Sequence, residues 1–494
     1  MTDWSHGYVA DSPYTFAYQA AQAPGNLAQI CAMMGVEWQP TARLTMADIG
    51  CGRGYTVNAL AAANPGWTML GLDYNPAHIA EAAALAESAE LPNATFIEAD
   101  LAGMTDAEID QLPELDVASL HGVWTWVADP VRAGIVRLLS RRLKPGGLVY
   151  IGYNVMPGFG QDMALQRLLR HLAAQHRGSS PFRAGATIDA IRVLHESRPA
   201  NLIATAMLKR LVDAENPLDP SYLAHEFLTE HWRPVFFEDL LADLAPAKLD
   251  YVGSVSLQEN SPDYLFDEAQ RAAYDAMPAG APQEFLKDLC LGRPFRRDVF
   301  VRGLRRTDPE RAMDRLVVAG CKLLGEESSR LGVQVGQAEI PAELWGPIAA
   351  ALNDAPQSLG RLRHLTPGRH PNAAELLTVL AGTGCVLPAL REAAGPTPAT
   401  QRFNAAVAET YAAEGKRGGQ YAMASPVAAA GLPCTWLELA LSVQPESVQP
   451  EPELARIIGR ILPDLTEEGF GQAHDTVGTM LRERLPVWRR FGIV

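Results

Sequence analysis

The segment Asp48-Ile49-Gly50-Cys51-Gly52-Arg53-Gly54 places three glycines between a run that reads as a β-strand and one that reads as a helix. In such a turn, glycines let a ligand approach the backbone closely, because no Cβ stands in the way. A nucleotide-like cofactor is implied. Dinucleotide enzymes space these glycines G-x-G-x-x-G, with a pyrophosphate on the helix N-terminus. Here the third glycine falls one place early and Tyr55 takes the expected position. Asp48, just before the turn, would repel a pyrophosphate but help receive an ammonium group, which favours S-adenosylmethionine over NAD. Asp73 closes the next strand about 20 residues on, where an acid accepts both ribose hydroxyls, and Tyr74 follows it. NAD would use that acid equally. Asp100 ends the third strand, placed to accept from the adenine amino group, with Leu101 donating its backbone N–H. Singly each acid could be only a helix cap; their order at successive strand ends is what discriminates.

Methyl transfer from a sulfonium is an in-line displacement, so the protein must chiefly align nucleophile, methyl carbon and sulfur and exclude water. Candidates stand where the fourth and fifth strands end: His121, Trp124 and Trp126, then Tyr153 and Asn154. The carboxyl edge of a doubly wound sheet is where ligands bind. Aromatic faces there attract a sulfonium or a methylated ammonium through cation–π contacts of about 0.5–2 kcal/mol, although core packing is the plainer role for both tryptophans. His121 is placed to hydrogen-bond the cofactor's carboxylate or to accept a proton, against a plainer structural role. A lysine nucleophile, with an amine pKa of about 10.4, must lose a proton, and burial in an apolar channel encourages that. Tyr8, Tyr14 and Tyr18 precede the core and either fold over the cofactor as a lid or pack on the surface. His225, Glu226, His231 and Trp232 form a polar-aromatic patch, but their spacing does not match H-E-x-x-H, and no metal is expected.

These residues need a parallel sheet beneath them, and from Leu44 the chain alternates strand-like and helix-like runs as βαβ units do. The strands are LTMADIG, WTMLGLD, ATFIEAD, LDVASLH and GGLVYIGYN, the last introduced by the turn Lys144-Pro145-Gly146-Gly147. Asn75 is expected to cap a helix that has Pro76 at its first position. MALQRLLRHLAAQH and NLIATAMLKRLVDA show helical spacing, and strand-like text resumes at LDYVGSVSL and RDVFVRG. The expected fold is α/β: a Rossmann-like, doubly wound, mostly parallel seven-stranded sheet. Its expected parts are an N-terminal lid (1–43), a cofactor-binding core (44–157), a helical insertion for dimerisation or substrate closure (158–235), completion of the sheet (236–305) and a C-terminal regulatory or recognition domain (306–494).

A chain of 494 residues exceeds what one core usually organises. The net charge of −15 opposes the phosphate-neutralising surface of a nucleic-acid binder, so no nucleic-acid partner is expected. The cysteines are scattered, with no C-x-x-C pair. They read as reduced thiols, and with neither a leader-like segment nor a membrane-spanning run the expected location is the cytoplasm.

The glycine turn with Asp73 and Asp100 resembles the first three motifs of class I methyltransferases over about 46–155. A tighter resemblance rests on Pro13, Tyr14, Pro24 and Leu27, on the run from His121 to Val127, on GGLVYIGYNVMPG, and on SYLAHEFL with GRPFRRDVF. RFNAAVAE and ASPVAAAGLP extend it weakly. These resemble bacterial methyltransferases that carry a regulatory domain, a group including the rickettsial-type outer-membrane-protein lysine methyltransferases. That resemblance implies S-adenosylmethionine as cofactor, S-adenosylhomocysteine as product, a lysine of a protein as acceptor and a homodimer. Trp124 departs from it where tyrosine is expected. A metabolite acceptor is the alternative, a cofactor-binding regulator without turnover a third reading, and an NAD oxidoreductase the most distant.

Overall fold

The computed structural model describes residues 7–12, 14–414, 419–444, 454–462 and 467–494. Pro13 and the first six residues of the expected lid lie outside the described residues.

Seven strands make one sheet in the order β3-β2-β1-β4-β5-β7-β6. They are β1 (Thr45–Ile49), β2 (Thr68–Asp73), β3 (Ala94–Glu98), β4 (Leu115–His121), β5 (Leu143–Asn154), β6 (Leu249–Ser254) and β7 (Phe295–Arg302). The first five pair in parallel, while β7 runs antiparallel to both β5 and β6. The order reverses between β1 and β4, which opens a crevice at their carboxyl ends. The Lys144-Pro145-Gly146-Gly147 turn is absorbed into the start of β5, where the register to β4 shifts before regular pairing begins at Leu148.

Connecting helices follow from local chemistry. Helix α1 (Pro24–Met33) precedes the sheet, and α2 (Tyr55–Ala63) leaves the glycine turn. Helix α3 (Pro76–Ser88) starts as expected: the Asn75 side chain accepts from the Ala77 N–H at 2.9 Å, with Pro76 at the first position. Helices α4 (Asp106–Gln111) and α5 (Asp129–Arg142) complete the first half.

The two faces of the sheet bury different clusters, because strand side chains alternate. Val149, Ile151 and Tyr153 join Ile49, Leu120, Trp124 and Leu139 on one face. Met46, Val117, Leu148 and Tyr150 belong to the other, in a cluster that runs without a break into the C-terminal part through Leu380, Leu439 and Trp488.

The insertion contains α6 (Met163–Ala173), α7 (Ser180–Gly185), α8 (Ile188–Glu196), α9 (Ala206–Val212) and α10 (Pro220–Phe227) around a small core of its own, to which Val9 contributes. The expected helix from Asn201 is shorter than its spacing suggests. Thr205 turns its side chain onto the Leu208 N–H at 3.0 Å and starts α9 only at Ala206, since a threonine cap stops the helix from extending upstream.

Candidate active site

The glycine turn sits at the crevice, and its glycines do different work. Gly50, Gly52 and Gly54 all have positive φ, at 76°, 53° and 74°, a region that costs other residues about 1–2 kcal/mol. A Cβ on Gly50 would meet Val123 at 2.4 Å, and one on Gly54 would meet Ala82 at 2.4 Å. Those two are glycines because neighbouring chain packs against them. Only at Gly52 is the space open, the nearest atom being Tyr14 Cδ1 at 3.8 Å. The expectation that all three glycines admit a ligand therefore narrows to Gly52.

Asp73 holds this turn together. Its Oδ2 accepts from the Gly52 N–H at 2.8 Å, and its Oδ1 accepts from the Asn75 N–H at 2.9 Å and lies 3.2 Å from His78 Nδ1. A carboxylate offers about four acceptor sites, so Oδ2 retains a lone pair for a ribose hydroxyl. Asp48 is buried, its Oδ1 accepting from Ser119 Oγ at 2.8 Å and Gln22 Nε2 at 3.0 Å. Burial pushes its carboxyl up to about 7, opposed by the Ser119 bond, with Asp73's charge adding to the rise and the Gln22 bond again opposing it. Gln22 Oε1 is buried with no hydrogen-bond partner in the structure. Two acceptors at this position fit the ammonium of an amino-acid cofactor.

Residues 14–17, Gln19 and Gln22 line one side of this cleft, and Asp48, the glycine turn and His121 line the other. Tyr14 thus meets the turn, and its backbone N–H reaches His78 Nε2 at 3.3 Å. The C-terminal part fastens this segment. The Tyr18 N–H donates to the Gln420 carbonyl at 2.9 Å, and Tyr18 Oη accepts from the Gly431 N–H at 2.8 Å. Cys51 faces the cleft as a thiol, its pKa raised by burial and by Asp73 and Asp48. Tyr74 follows Asp73 and is half-exposed. Asp100 lies just beyond β3, exposed, with Oδ1 accepting from the Ala102 N–H at 3.1 Å. Leu101 is buried.

At the ends of β4 and β5 the candidate residues part company. His121 Nδ1 lies 2.7 Å from Tyr150 Oη, and burial together with the charge of Arg297 lowers the imidazole to about 4, so the ring is neutral near pH 7. Trp124 is fully buried in the apolar cluster of the opposite face, its carbonyl accepting from Arg132 Nε at 2.9 Å. Tyr153, also fully buried there, donates to Asp298 at 2.7 Å within an ion network in which Arg296 pairs with Asp298, Asp288 and Glu284. Both have the surroundings of core residues, and neither lines the cofactor cleft. Trp126 does not line that cleft either and turns towards the insertion, its indole N–H donating to the Glu226 carbonyl at 3.3 Å.

Asn154 leads instead to α10, the helix capped by Asp219. Its Nδ2 donates to Glu226 Oε1 at 3.5 Å. The Tyr14 ring stands edge-on to His225 at 5.1 Å, and Tyr8 lies 5.8 Å from the same imidazole. The N-terminal segment, β5 and α10 therefore meet around Glu226. The sequence reading grouped His225 with Glu226 but attached no reaction to them. Gln22, Ser119 and His78 were not singled out. Ser119 pairs in register with Asp48 on the neighbouring strand, a tertiary relation that no local signal in the sequence marks.

Residues 47–149 match the family model described as a methyltransferase domain, and residues 219–302 match the one described as a predicted methyltransferase regulatory domain. The chain is an S-adenosylmethionine-dependent methyltransferase. An uncharacterized protein of Synechocystis is 28% identical over 463 residues, 91% of this methyltransferase and 90% of that relative. A trans-aconitate 2-methyltransferase of Methylobacterium nodulans is 32% identical over 139 residues, 28% of this chain and 46% of its own. In fold, the methyltransferase resembles PKMT2 from Rickettsia typhi in complex with AdoHcy, with a TM-score of 0.70 at 16% identity over 97% of this chain and 99% of that one. The preference for S-adenosylmethionine over NAD, read from the early third glycine and Asp48, holds.

Proposed function

We propose that this methyltransferase modifies lysine side chains of a protein substrate. The observation that carries the reading is an open surface groove of about 670 Å³ between residues 7–11 and Arg170, Arg183 and Glu230 of the insertion. Tyr8 lines it and also lies 5.8 Å from the His225 ring beside Glu226, and its charged walls suit a polypeptide better than an enclosed metabolite. The motif resemblance to rickettsial-type lysine methyltransferases supports the same reading, and the fold shared with PKMT2 from Rickettsia typhi is in keeping with it.

In this reading the Gly52 backbone, Asp73 and Asp100 hold the adenosine portion, while Asp48 and Gln22 receive the ammonium. The bound cofactor supplies an electrophilic methyl group on a sulfonium. The chain's own residues do the rest: Tyr14 and Trp126 wall off water, and the end of β5 with α10 positions the nucleophile. Among the described residues no group of His, Cys, Asp and Glu is arranged to hold a metal, and no helix is long and apolar enough to cross a membrane. A homodimer and a cytoplasmic location belong to the same proposal, the first open to light scattering.

The test is incubation with trideuteromethyl-labelled S-adenosylmethionine and bacterial proteins, followed by acid hydrolysis. Labelled methyl-lysine is expected, and label confined to small metabolites would refute the proposal. A metabolite acceptor is the second reading, favoured by the match to trans-aconitate methyltransferases. That match covers 28% of the chain, which is too little to include both the core and the insertion.

A further inference from the structure

We propose that Glu226 and Asn154 form the docking site for the acceptor nitrogen, and that the Glu226 carboxylate takes the proton which that nitrogen must shed before it attacks. The inference rests on the lysine reading and names the residues that would make it work.

Asn154 is 3% exposed, and its Nδ2 points to Glu226, which orients the amide. Its Oδ1 has no hydrogen-bond partner in the structure. Buried side-chain acceptors normally find a donor, so this one marks a place where a ligand supplies it. The unpartnered amide oxygen and the carboxylate are both acceptors, a pair that suits a group with several N–H donors. Aromatic side chains lie nearby: Trp126, bonded to the backbone of Glu226, and Tyr14 and Tyr222, whose phenols are pushed up first by burial and then by the charge of Glu226. Such rings attract ammonium.

The charged and titratable neighbours of Glu226 are Asp162 at the start of α6, Tyr14 from the N-terminal segment, Tyr222 on its own helix and the adjoining His225. Burial raises the Glu226 carboxyl to about 7 against the opposing Asn154 bond, with the charge of Asp162 adding to the rise. Above that pH the carboxylate is available as an acceptor.

In the reaction, the lysine ammonium gives one proton to Glu226. The freed lone pair forms the nitrogen–carbon bond as the carbon–sulfur bond breaks, and that bond's electron pair stays on sulfur. The positive charge passes from sulfur to the methylated nitrogen, and Glu226 returns its proton to solvent.

The test uses the full chain and Glu226→Gln, which keeps size and shape but removes charge and basicity. With poly-L-lysine at saturating cofactor, kcat/KM of the variant should fall about 10²–10⁴-fold at pH 8, and the rise of the parent enzyme through about pH 7 should vanish. S-adenosylhomocysteine affinity should stay within about twofold, which also reports an intact fold. In a separate NMR titration of the S-adenosylhomocysteine complexes with n-butylammonium, Glu226→Gln and Asn154→Leu should each weaken binding about tenfold or more. An unchanged pH profile, or equal n-butylammonium binding in parent and Glu226→Gln, would overturn the inference. If Glu226 governs n-butylammonium binding while the parent enzyme labels no lysine in poly-L-lysine or in bacterial protein, the lysine reading falls and the amine site stands.

Discussion

Cofactor binding should depend on pH through Asp48, and the size of the effect follows from its setting. In the free protein the carboxyl titrates at about 7 because it is buried, despite hydrogen bonds from Ser119 and Gln22. An ammonium ligand needs the ionised form. At pH 6 roughly one carboxyl in eleven is ionised and at pH 8 roughly ten in eleven, so affinity should be about tenfold weaker at pH 6, or about 1.4 kcal/mol. Binding at pH 6 should release close to one proton. The folded-state value lies above the unfolded value of 3.8. The stability this group confers on the free protein is therefore complete below the unfolded value and is lost as pH rises through about 7. A ligand ammonium offsets that loss. Calorimetry with S-adenosylhomocysteine from pH 6 to 8, in buffers of different ionisation enthalpy, measures affinity and proton release together. Asp48→Asn should flatten the dependence and weaken binding at pH 8 by about 10–100-fold, as expected for losing a hydrogen bond to a charged group. A flat profile in the parent protein, or the same slope in Asp48→Asn, would refute the assignment of the ammonium to Asp48.

Gly54→Ala should destabilise the fold by about 2–5 kcal/mol, combining left-handed strain with overpacking on Ala82; denaturant midpoints measure it. Gly52→Ala should cost only about 1–2 kcal/mol of stability yet weaken S-adenosylhomocysteine binding at least about tenfold, since its Cβ enters the cleft beside Tyr14. Arg296→Met strands the buried carboxylates of Asp298 and Asp288 and should cost about 3–5 kcal/mol, read from chemical unfolding. Tyr153→Phe removes one bond to Asp298 and should lower stability by about 1–3 kcal/mol while leaving kcat within about twofold; a loss of kcat beyond tenfold would restore Tyr153 to the reacting groups.

The strands were legible because each is a short apolar run bounded by a turn signal, and the Asn75 cap because a side-chain acceptor precedes a proline. The cofactor turn was legible for the same local reason. What failed was direction beyond the strand ends. Tyr153 and Asn154 are consecutive, so alternation sends one to the Val149 and Ile151 face and the other to the face of Tyr150. Counting by twos from Tyr150 would have separated them. Trp124 lies in a loop after β4, where no period fixes the side chain, and only tertiary packing decides, the indole being buried in the apolar cluster with Arg132 over its ring at 5.9 Å. Glu226 was visible as part of a polar patch, but its meeting with Asn154 joins residues 72 positions apart, a long-range contact that local pattern does not encode. The tight packing of Gly50 and Gly54 against Val123 and Ala82 is likewise a tertiary fact, which at the level of sequence looks the same as a ligand cradle.

The grip of the glycine turn on an adenosyl ligand is tested most directly by isothermal titration of S-adenosylhomocysteine into the parent protein and into Asp73→Asn. If Asp73 both aligns the Gly52 N–H and receives the ribose, the parent should bind and the variant should lose at least about tenfold in affinity. Absence of binding to the parent protein, or equal affinity in the two, would contradict it.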